Sequence, residues 1–350
     1  DYAGIFIHTA KGLSIRFSDS NNPIPEIEEK LTKQDIIPEH TYIAIYITPH
    51  GKYETDQKKR KIYYHVKELL LKRGITSQVI DPEKRKALGG GWKHSLPNIF
   101  IAILAKLEGI PWQLNTPEKN ELVVGVGAFK DTAEGVQYIA SAFSFENNGK
   151  FTRFEYFLKD EVEMLAGSIA SAIKEFATVN NDPDRLIIHF YKEMSDKELI
   201  PIMEKLENLE LRIPVFIITI FKTESEDIVA FDTSWPQLMP LSGTYINIGH
   251  NQYLLFNNTR YSEVTRSKPD GFPFPIKIKM QCSEPDLLKE TKTVNELIDQ
   301  VYQFSRMYWK SVKQQNLPVT IKYPEMVAQI APNFKGNEIP DYGKRNLWFL

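Results

Sequence analysis

The sequence has a single cysteine and lacks a long apolar run, and each shortage excludes a class of protein. Cys282 alone cannot form an intramolecular disulfide or a cysteine-based metal cluster, which fits a reducing cytoplasm. No apolar run approaches the roughly 18–20 residues that a membrane helix needs, so we expect no membrane association. The chain opens DYAGIFIHTA, with neither an initiator methionine nor a signal-peptide pattern, which suggests that residues precede it.

The chain also lacks an excess of positive charge, because 43 basic residues stand against 45 acidic ones. This balance disfavours a globally basic nucleic-acid binder but permits a local basic groove. With 350 residues, 42% of them hydrophobic and 12% aromatic, the chain is expected to fold into about two ordered domains.

Alternating strand and helix patterns predict an α/β fold whose first part holds a small parallel sheet. The β-branched run TYIAIYIT (41–48) precedes a helix over about 55–73, and the next helix runs over 95–109. Between these helices, GITSQ is expected to place Thr76, Ser77 and Gln78 in a loop. The run KALGGGWKHS (86–95) is expected to be a flexible loop.

The pattern changes after the polar stretch TPEKN, which predicts a first domain at 1–117 and a second at 118–350. The second domain combines buried-strand runs with hairpins, one of them turning at 147–149, and we expect a mixed sheet there. A long helix is predicted over 294–313.

Seven basic residues crowd the predicted helix between positions 58 and 73, against one acid, Glu68. The seven are Lys58, Lys59, Arg60, Lys61, Lys67, Lys72 and Arg73. By spacing alone, this run is most simply a solvated helix face whose aromatic neighbour, Tyr63, covers the core.

A second interpretation of the same residues is an anion site. Tyr63 and Lys67 lie four positions apart and therefore on one helix face. On the next helix, Asn98, Ala102 and Lys106 repeat that spacing. Two lysines, a phenol and an amide could converge on a terminal phosphate, which accepts several charge-assisted hydrogen bonds.

These stretches resemble the MID domain of Argonaute proteins. The matching pattern is Tyr63-x-x-x-Lys67, Gln78, and the segment from Asn98 to Lys106 inside NIFIAILAKLEGIPW. The resemblance implies a Rossmann-like MID domain that holds the 5′-phosphate of a small guide strand. The residues it assigns to that phosphate are Tyr63, Lys67, Thr76, Gln78, Asn98 and Lys106. A further lysine that some relatives carry is Ala102 here.

The closing PVTIKYPEMVAQIAP and NLWFL resemble the end of a PIWI domain. The resemblance implies an RNase H-like second domain. It further implies a Mg²⁺ ion at the guide phosphate, held through Gln78 and through a terminal carboxylate at Leu350.

Active PIWI domains cut the target strand with metal ions held by a carboxylate tetrad. The strand that should carry the first aspartate reads VVGVGAF, which leaves Gly127 at that position. Glu193 and Glu325 lie near two further tetrad positions, and Asp131 is close to Gly127 in sequence. Because glycine supplies no ligand, the resemblance implies a catalytically inactive PIWI domain.

A basic, aromatic-rich stretch at 300–324 has four basic residues and no acidic one, which favours a nucleic-acid channel. We expect Arg306 and Lys322 to contact the guide or target backbone, and Trp309 to pack in the core. The length fits a short prokaryotic Argonaute that contains only MID and PIWI domains. Such proteins act with a partner that joins an APAZ region to a TIR or sirtuin-like NADase.

The resemblance thus implies a guide-binding subunit of a defence complex. It favours a small guide RNA, a complementary single-stranded DNA target, an APAZ-containing effector partner and higher oligomers on activation. Two other hypotheses stay open. One is a guide-directed nuclease that uses Glu193, Glu325 and Asp131 in a rearranged site. The other is an unrelated α/β enzyme whose anion pocket holds a nucleotide or phosphosugar.

Overall fold

The protein is described from a computed structural model, and its chain divides into two compact units. One unit combines residues 1–111, 309–312 and 330–350, and the other combines 112–308 and 313–329. The structure describes residues 7–10, 13–52, 54–117, 119–131, 136–146, 151–153, 155–158, 161–179, 182–222, 228–261, 273–313, 315–335 and 338–350.

The first unit is built around a two-stranded parallel sheet. Strand β1 pairs with β2 in a register that places Tyr42 beside Ile75 and Ile47 beside Ile80. The elements are α1 (Ile24–Thr32), β1 (Tyr42–Ile47), α2 (Gln57–Lys72), β2 (Ile75–Ile80), α3 (Pro82–Leu88) and α4 (Leu96–Lys106). An apolar core that includes Leu31, Val66 and Leu70 joins α1 and α2 to one face of this sheet.

The second unit holds an eight-stranded mixed sheet with the order β5-β4-β3-β6-β7-β10-β9-β8. Its strands are β3 (Glu121–Asp131), β4 (Val136–Glu146), β5 (Glu155–Leu158), β6 (Arg185–Phe190), β7 (Val215–Phe221), β8 (Thr244–Gly249), β9 (Gln252–Phe256) and β10 (Ile276–Cys282). The central strands β3, β6 and β7 are parallel and the other pairs are antiparallel.

Four helices belong mainly to this second unit: α5 (Val162–Val179), α6 (Asp196–Asn208), α7 (Thr291–Phe304) and α8 (Val319–Ile330). Apolar residues of α5 and α6 pack in one core with alternate residues of the central strands. Helix α8 lies against β3 at Gly125 and Gly127, and a strand covered on both faces is apolar on consecutive positions. The predicted fold class, an α/β chain with a parallel sheet followed by a mixed sheet, is confirmed.

Two local predictions about the segments between helices were wrong. Thr76, Ser77 and Gln78 lie in β2 rather than in a loop, because their β-branched neighbours pair with β1. Residues 86–95 are ordered: α3 reaches Leu88, and a 3₁₀-helix continues over Gly89–Ser95. The turn predicted at 147–149 lies outside the described residues.

The helix predicted over 294–313 ends at Phe304. Beyond this end, side chains rather than helical N–H groups donate hydrogen bonds to the backbone carbonyls of residues 306 and 307. Trp112 Nε1 donates to Arg306 O at 2.8 Å, and the hydroxyl of Tyr323 donates to Met307 O at 2.9 Å. Trp309 is 7% exposed, so its predicted place in the core is confirmed.

Candidate nucleic-acid interface

The basic run on α2 contains one residue that differs from the rest in its burial. Lys67 is 3% exposed, whereas the other six basic residues of the run are half-buried or exposed. Lys106, at the end of α4, is 1% exposed. Burying an ammonium group is costly unless it is paired and hydrogen-bonded, so two such lysines in one unit require an explanation.

Both ammonium groups donate to neutral oxygen atoms. Lys67 Nζ donates to Trp348 O at 2.8 Å and lies 5.7 Å from the Trp348 ring centroid. Lys106 Nζ donates to Ser77 O and to Gln78 Oε1, both at 3.0 Å. Among the described residues, no carboxylate forms an ion pair with either lysine. The hydrogen bonds hold the two side chains in place, but they do not neutralise them.

The environment shifts the pKa values of both lysines in the same direction. Burial, together with repulsion from Lys310 and Lys52, lowers the pKa of Lys67 from 10.5 to about 7. Burial lowers the pKa of Lys106 well below its ordinary value, and repulsion from Lys67 and Lys310 adds to this effect. A bound anion would offset both effects and raise the two pKa values, because an opposite charge favours the ammonium form.

The strand β2 and the helix α4 position these groups. Thr76 is fully buried, and its hydroxyl lies 3.2 Å from Tyr42 O and 3.4 Å from Lys106 O, so it joins the end of α4 to the sheet. Gln78 is half-buried and directs its amide oxygen at Lys106 Nζ. The structure therefore brings Lys67, Lys106, Thr76 and Gln78 into one neighbourhood within the first unit.

Asn98 on α4 binds the backbone of segment 309–312 rather than one of the buried lysines. Its side-chain oxygen accepts a hydrogen bond from Val312 N at 3.0 Å, which anchors the segment 309–312 that carries Lys310. Lys310 Nζ lies 3.5 Å from Phe349 O and repels both buried lysines. Lys310 is thus a third cation at this site, which the sequence had indicated only as part of a basic stretch.

The last residues of the chain form one wall of the site. Trp348 is fully buried, packs against Phe334 and supplies the carbonyl that Lys67 binds. Asn346 Nδ2 lies 3.4 Å from Lys106 O, and Leu350 is 7% exposed with its N–H on Leu347 O. Leu350 follows Phe349, whose carbonyl oxygen lies 3.5 Å from Lys310 Nζ.

Tyr63 lies one helical turn before Lys67 on α2, as predicted, and is half-buried. Its ring meets the ring of Tyr64 edge-on, with a centroid separation of 5.0 Å. Ala102 is buried on α4, one turn before Lys106, and its methyl group adds no charge to the site.

In the second unit, helix α8 lies directly against β3 at Gly127. A Cβ atom on Gly127 would lie 2.6 Å from Ile321 O and 2.8 Å from Glu325 N, closer than Cβ contacts in proteins. Gly125 approaches Thr320 O in the same way. The backbone at position 127 therefore has no room for a side chain, carboxylate or otherwise.

The two glutamates expected near tetrad positions are each ion-paired. Glu193 Oε1 lies 2.6 Å from Lys279 Nζ, and Glu325 Oε2 lies 2.7 Å from Lys222 Nζ. The side chain of Asp131 lies outside the described residues. Across the part of the chain that the structure describes, no three His, Cys, Asp or Glu side chains cluster as metal ligands would.

The two residues predicted to contact nucleic-acid backbone differ in their surroundings. The guanidinium of Arg306 stacks on Tyr302, 4.5 Å from the ring centroid, and donates to the hydroxyl of Tyr261 at 2.5 Å and to Asn257 O. These contacts join the residues that follow α7 to the residues that follow β9. Lys322 lies half-buried on α8.

A family model of the Piwi domain matches residues 55–335 of this chain, which is most of its length. The chain belongs to the Piwi domain family. The match includes both buried lysines, Gly127 and α8, so the site in the first unit and the glycine strand in the second both lie inside the Piwi region.

Two relatives come from prokaryotes. The chain is 25% identical over 282 residues to a Piwi protein of Archaeoglobus fulgidus, covering 72% of this chain and 64% of that protein. It is 25% identical over 361 residues to a protein argonaute of Cereibacter sphaeroides, covering 93% of this chain and 44% of that protein. The chain therefore spans less than two thirds of the length of each relative.

Solved structures share the fold. The crystal structure of Drosophila Piwi matches with a TM-score of 0.62 at 15% identity, covering 88% of this chain and 42% of that one. Clostridium butyricum Argonaute, solved with a guide DNA and a 19-mer target DNA, matches with a TM-score of 0.59 at 19% identity, covering 88% and 39%. The Argonaute-like fold predicted from short motifs is confirmed.

Three features of the site were missed from the sequence. They are the role of Trp348 as acceptor for Lys67, the approach of Lys310, and the attachment of Asn346 to the end of α4. The buried apolar residues of NLWFL were the available signal, because an apolar end must pack against some part of the fold. Among the described residues, no helix is long and apolar enough to cross a membrane.

Proposed function

We propose that this protein binds the 5′-phosphorylated end of a small guide nucleic acid at the Lys67–Lys106 site and uses the guide to recognise a complementary strand. The observation that carries the proposal is the pair of buried lysines that no described carboxylate neutralises. A terminal phosphate supplies nearly two negative charges and several acceptor oxygens, which matches two ammonium groups and a nearby third.

The phosphate would accept further hydrogen bonds from the two lysines, in addition to those that the protein now accepts. Lys67 and Lys106 donate to carbonyl groups, and an ammonium group has three N–H donors, so each can bind an anion and keep its present partner. In this proposal Gln78 and Tyr63 complete the contacts to the phosphate, while Thr76 and Asn98 position the end of α4 and the segment that carries Lys310.

A divalent cation is compatible with this donor set. Gln78 Oε1 is a hard oxygen ligand of the kind that Mg²⁺ binds together with phosphate oxygens. Lys106 Nζ lies 3.0 Å from the same Gln78 oxygen, so the cation would share that oxygen with an ammonium group. When bound, the ion would supply additional positive charge to the guide phosphate.

We propose further that the protein does not cut the target. Support comes from Gly127, where a side chain would collide with α8, and from the ion pairs that occupy Glu193 and Glu325. A guide-directed nuclease would need these carboxylates to leave their lysine partners and to converge on metal ions. Incubation of the guide-loaded protein with a complementary strand and Mg²⁺ or Mn²⁺ tests this point, because accumulating cleavage products would contradict it.

Within the same proposal, the guide is RNA, the target is single-stranded invader DNA, and the protein is a short Argonaute of MID and PIWI domains. It signals to a partner that joins an APAZ region to a TIR or sirtuin-like NADase, in the cytoplasm of a prokaryote. This part rests on the family resemblance. Co-expression with such a partner, followed by an NAD-consumption assay with guide and target, tests it.

The proposed site is tested by comparing guides that differ only at the 5′ end. We expect a 5′-phosphorylated guide to bind about tenfold or more tightly than its 5′-hydroxyl form, since charge-assisted hydrogen bonds contribute about 1.5–3 kcal/mol. Lys67→Met should remove most of that preference. Lys61→Met, on the exposed face of the same helix, is the matched control and should keep it. Equal binding of both guides would refute the proposal.

A further inference from the structure

The first unit carries positive charge that the proposed phosphate site does not use. Between positions 48 and 95, twelve basic residues stand against five acidic ones, which leaves 31 basic and 40 acidic residues for the rest of the chain. Of these twelve, only Lys67 is buried. Seven of the others form what we call the basic surface, in the first turn of α2, in α3 and in the 3₁₀-helix after α3: Lys58, Lys59, Arg60, Lys84, Arg85, Lys86 and Lys93.

The fold places the two parts of the basic surface at one edge of the parallel sheet. Strand β1 leads through the loop 48–56 into α2, and β2 leads directly into α3, so both helices begin beyond the carboxyl ends of neighbouring strands. The loop approaches the start of α3, because a Cβ atom on Gly51 would lie 3.2 Å from Asp81 Oδ2. The first turn of α2 and the segment 82–95 therefore start from the same edge.

Neighbouring acids do not cancel the charge of the basic surface. The carboxylate of Asp56 accepts from the backbone N–H groups that begin α2, and the carboxylate of Asp81 does the same for α3. Among the described residues, no carboxylate forms an ion pair with six of the seven cations: Lys58, Lys59, Arg60, Arg85, Lys86 and Lys93.

The part of the basic surface on α3 has no place in a core. All residues of 82–91 are exposed, and neither α3 nor the 3₁₀-helix that follows it contains a buried side chain. A surface helix of a globular protein normally buries an apolar stripe. Burial therefore does not account for this segment, and its distinguishing property is its positive charge.

We propose that the basic surface binds the backbone of the target strand where that strand continues past the 5′ end of the guide. The inference rests on the proposed function, which fixes the guide end at Lys67 and Lys106. Paired strands are antiparallel, so the target segment beyond that end is the 3′ flank of the target. At a rise of about 1.5 Å per residue, Lys58 lies about 14 Å along α2 from Lys67, which corresponds to about four nucleotide steps.

The chemistry of the basic surface suits a strand of any sequence. Exposed lysine and arginine side chains bind phosphate oxygens and carry no sequence information, because sequence is read at the base edges. A protein that recognises its target through guide pairing must accept any flanking sequence. A local excess of positive charge on a chain of net charge −2 also attracts a polyanion to one place rather than to the whole molecule.

The test compares complementary targets that differ only in their flanks, on the full chain already loaded with a 5′-phosphorylated guide. Relative to a target that ends opposite the first guide nucleotide, a 3′ flank of about ten nucleotides should tighten binding about tenfold at about 0.1 M salt. The gain should vanish at about 0.5 M salt, since about three phosphate contacts on a single strand give a salt slope of about −2. A 5′ flank of equal length is the control and should add little.

A triple variant removes charge from α3 and the 3₁₀-helix without touching the helix that carries Lys67. Arg85→Gln, Lys86→Gln and Lys93→Gln together should abolish the gain from the 3′ flank. These side chains are exposed, so the variant should fold and should keep its preference for a 5′-phosphorylated guide.

A control triple removes the same charge from exposed positions of the second unit. It combines Lys174→Gln, Lys197→Gln and Lys292→Gln and should keep the gain. No gain from a 3′ flank in the unaltered protein, or a gain that the α3 triple variant leaves intact, would overturn the proposal. A loss of guide affinity in that variant without target would assign the basic surface to the guide backbone and would overturn it as well.

The two proposals fail separately in these experiments. A protein that prefers the 5′-phosphorylated guide but gains nothing from the flank refutes the flank surface alone. A protein that gains from the 3′ flank but binds both forms of the guide equally refutes the 5′-phosphate site and leaves the flank surface standing, because the flank effect itself places the guide end beside the basic surface.

Discussion

The affinity for a 5′-phosphorylated guide should fall as the pH rises above 7. In the free protein, burial and repulsion from Lys310 and Lys52 hold the pKa of Lys67 at about 7. In the complex, the phosphate dianion favours the ammonium form and returns the pKa towards its ordinary value. Binding above pH 7 therefore takes up a proton, and affinity decreases with pH wherever the complex binds more protons than the free protein.

The magnitude follows from the fraction of free protein with Lys67 protonated. With a pKa of about 7, Lys67 is protonated in about half of the free protein at pH 7 and in about 3% of it at pH 8.5. The affinity should therefore drop about 15-fold over this range, or by about 1.6 kcal/mol. The phosphate is already almost fully dianionic across this range and contributes little. The pKa of Lys106 is also lowered, chiefly by burial, so a proton taken up there on binding would add to the effect.

The assay is a binding titration with a 5′-phosphorylated guide at about pH 7 and pH 8.5 at constant ionic strength. A 5′-hydroxyl guide should lose much less affinity, because its end carries no charge to restore the lysine proton. Calorimetry in buffers of different ionisation enthalpy should detect the proton uptake directly. Equal pH dependence for both guides, or none for the phosphorylated one, would refute the reasoning.

The same pKa shift has an opposite consequence for the guide-free protein. Between the folded pKa of about 7 and the ordinary 10.5, the unfolded chain binds more protons at Lys67, so stability should rise with pH in that window. Burying an ammonium group that no carboxylate pairs with costs free energy of folding, and a methionine of similar volume carries no charge to desolvate. Lys67→Met should therefore keep or raise the melting temperature while it weakens guide binding.

Three further outcomes are expected. Gly127→Asp should lower the free energy of unfolding by more than about 3 kcal/mol in denaturant melts, because its Cβ would collide with Ile321 O. This variant should not gain cleavage activity. The control Gly167→Ala on α5, with open space around it, should be neutral or slightly stabilising. Lys322→Ala should weaken binding of all guide sequences alike and reduce the salt slope by about 1, whereas an unchanged slope would exclude a phosphate contact. Chelation of Mg²⁺ should weaken the binding of a 5′-phosphorylated guide and leave the binding of a 5′-hydroxyl guide unchanged. An equal loss of affinity for both guides would exclude an ion at the phosphate.

Periodicity and turn residues predicted most of the fold, because these signals are local. Helix α2 and strand β1 lie within two residues of their predicted ends. Helix α8 was not anticipated, since Pro324 lies inside it and proline disfavours helix interiors. Pro324 cannot donate to Thr320 O, and Gly125 packs against that carbonyl, so tertiary contact favours the helix where local propensity does not.

The site itself was predictable only in part. Spacing on α2 and α4 identified Lys67 and Lys106, because residues four apart share a helix face. The hydrogen bond from Lys67 to Trp348 joins positions 281 residues apart, and no local pattern encodes such a contact. Likewise, the sequence showed that Gly127 lacks a carboxylate, but only the structure shows that α8 fills the space where one would project.

The most direct test of the account is to sequence the nucleic acid that copurifies with the protein from cells and to determine the chemistry of its ends. We expect short strands that carry 5′-phosphate almost uniformly, and we expect the Lys67→Met protein to yield far less of them. Absence of bound nucleic acid, or fragments of random length with mixed 5′ ends, would contradict a 5′-phosphate site at the two buried lysines.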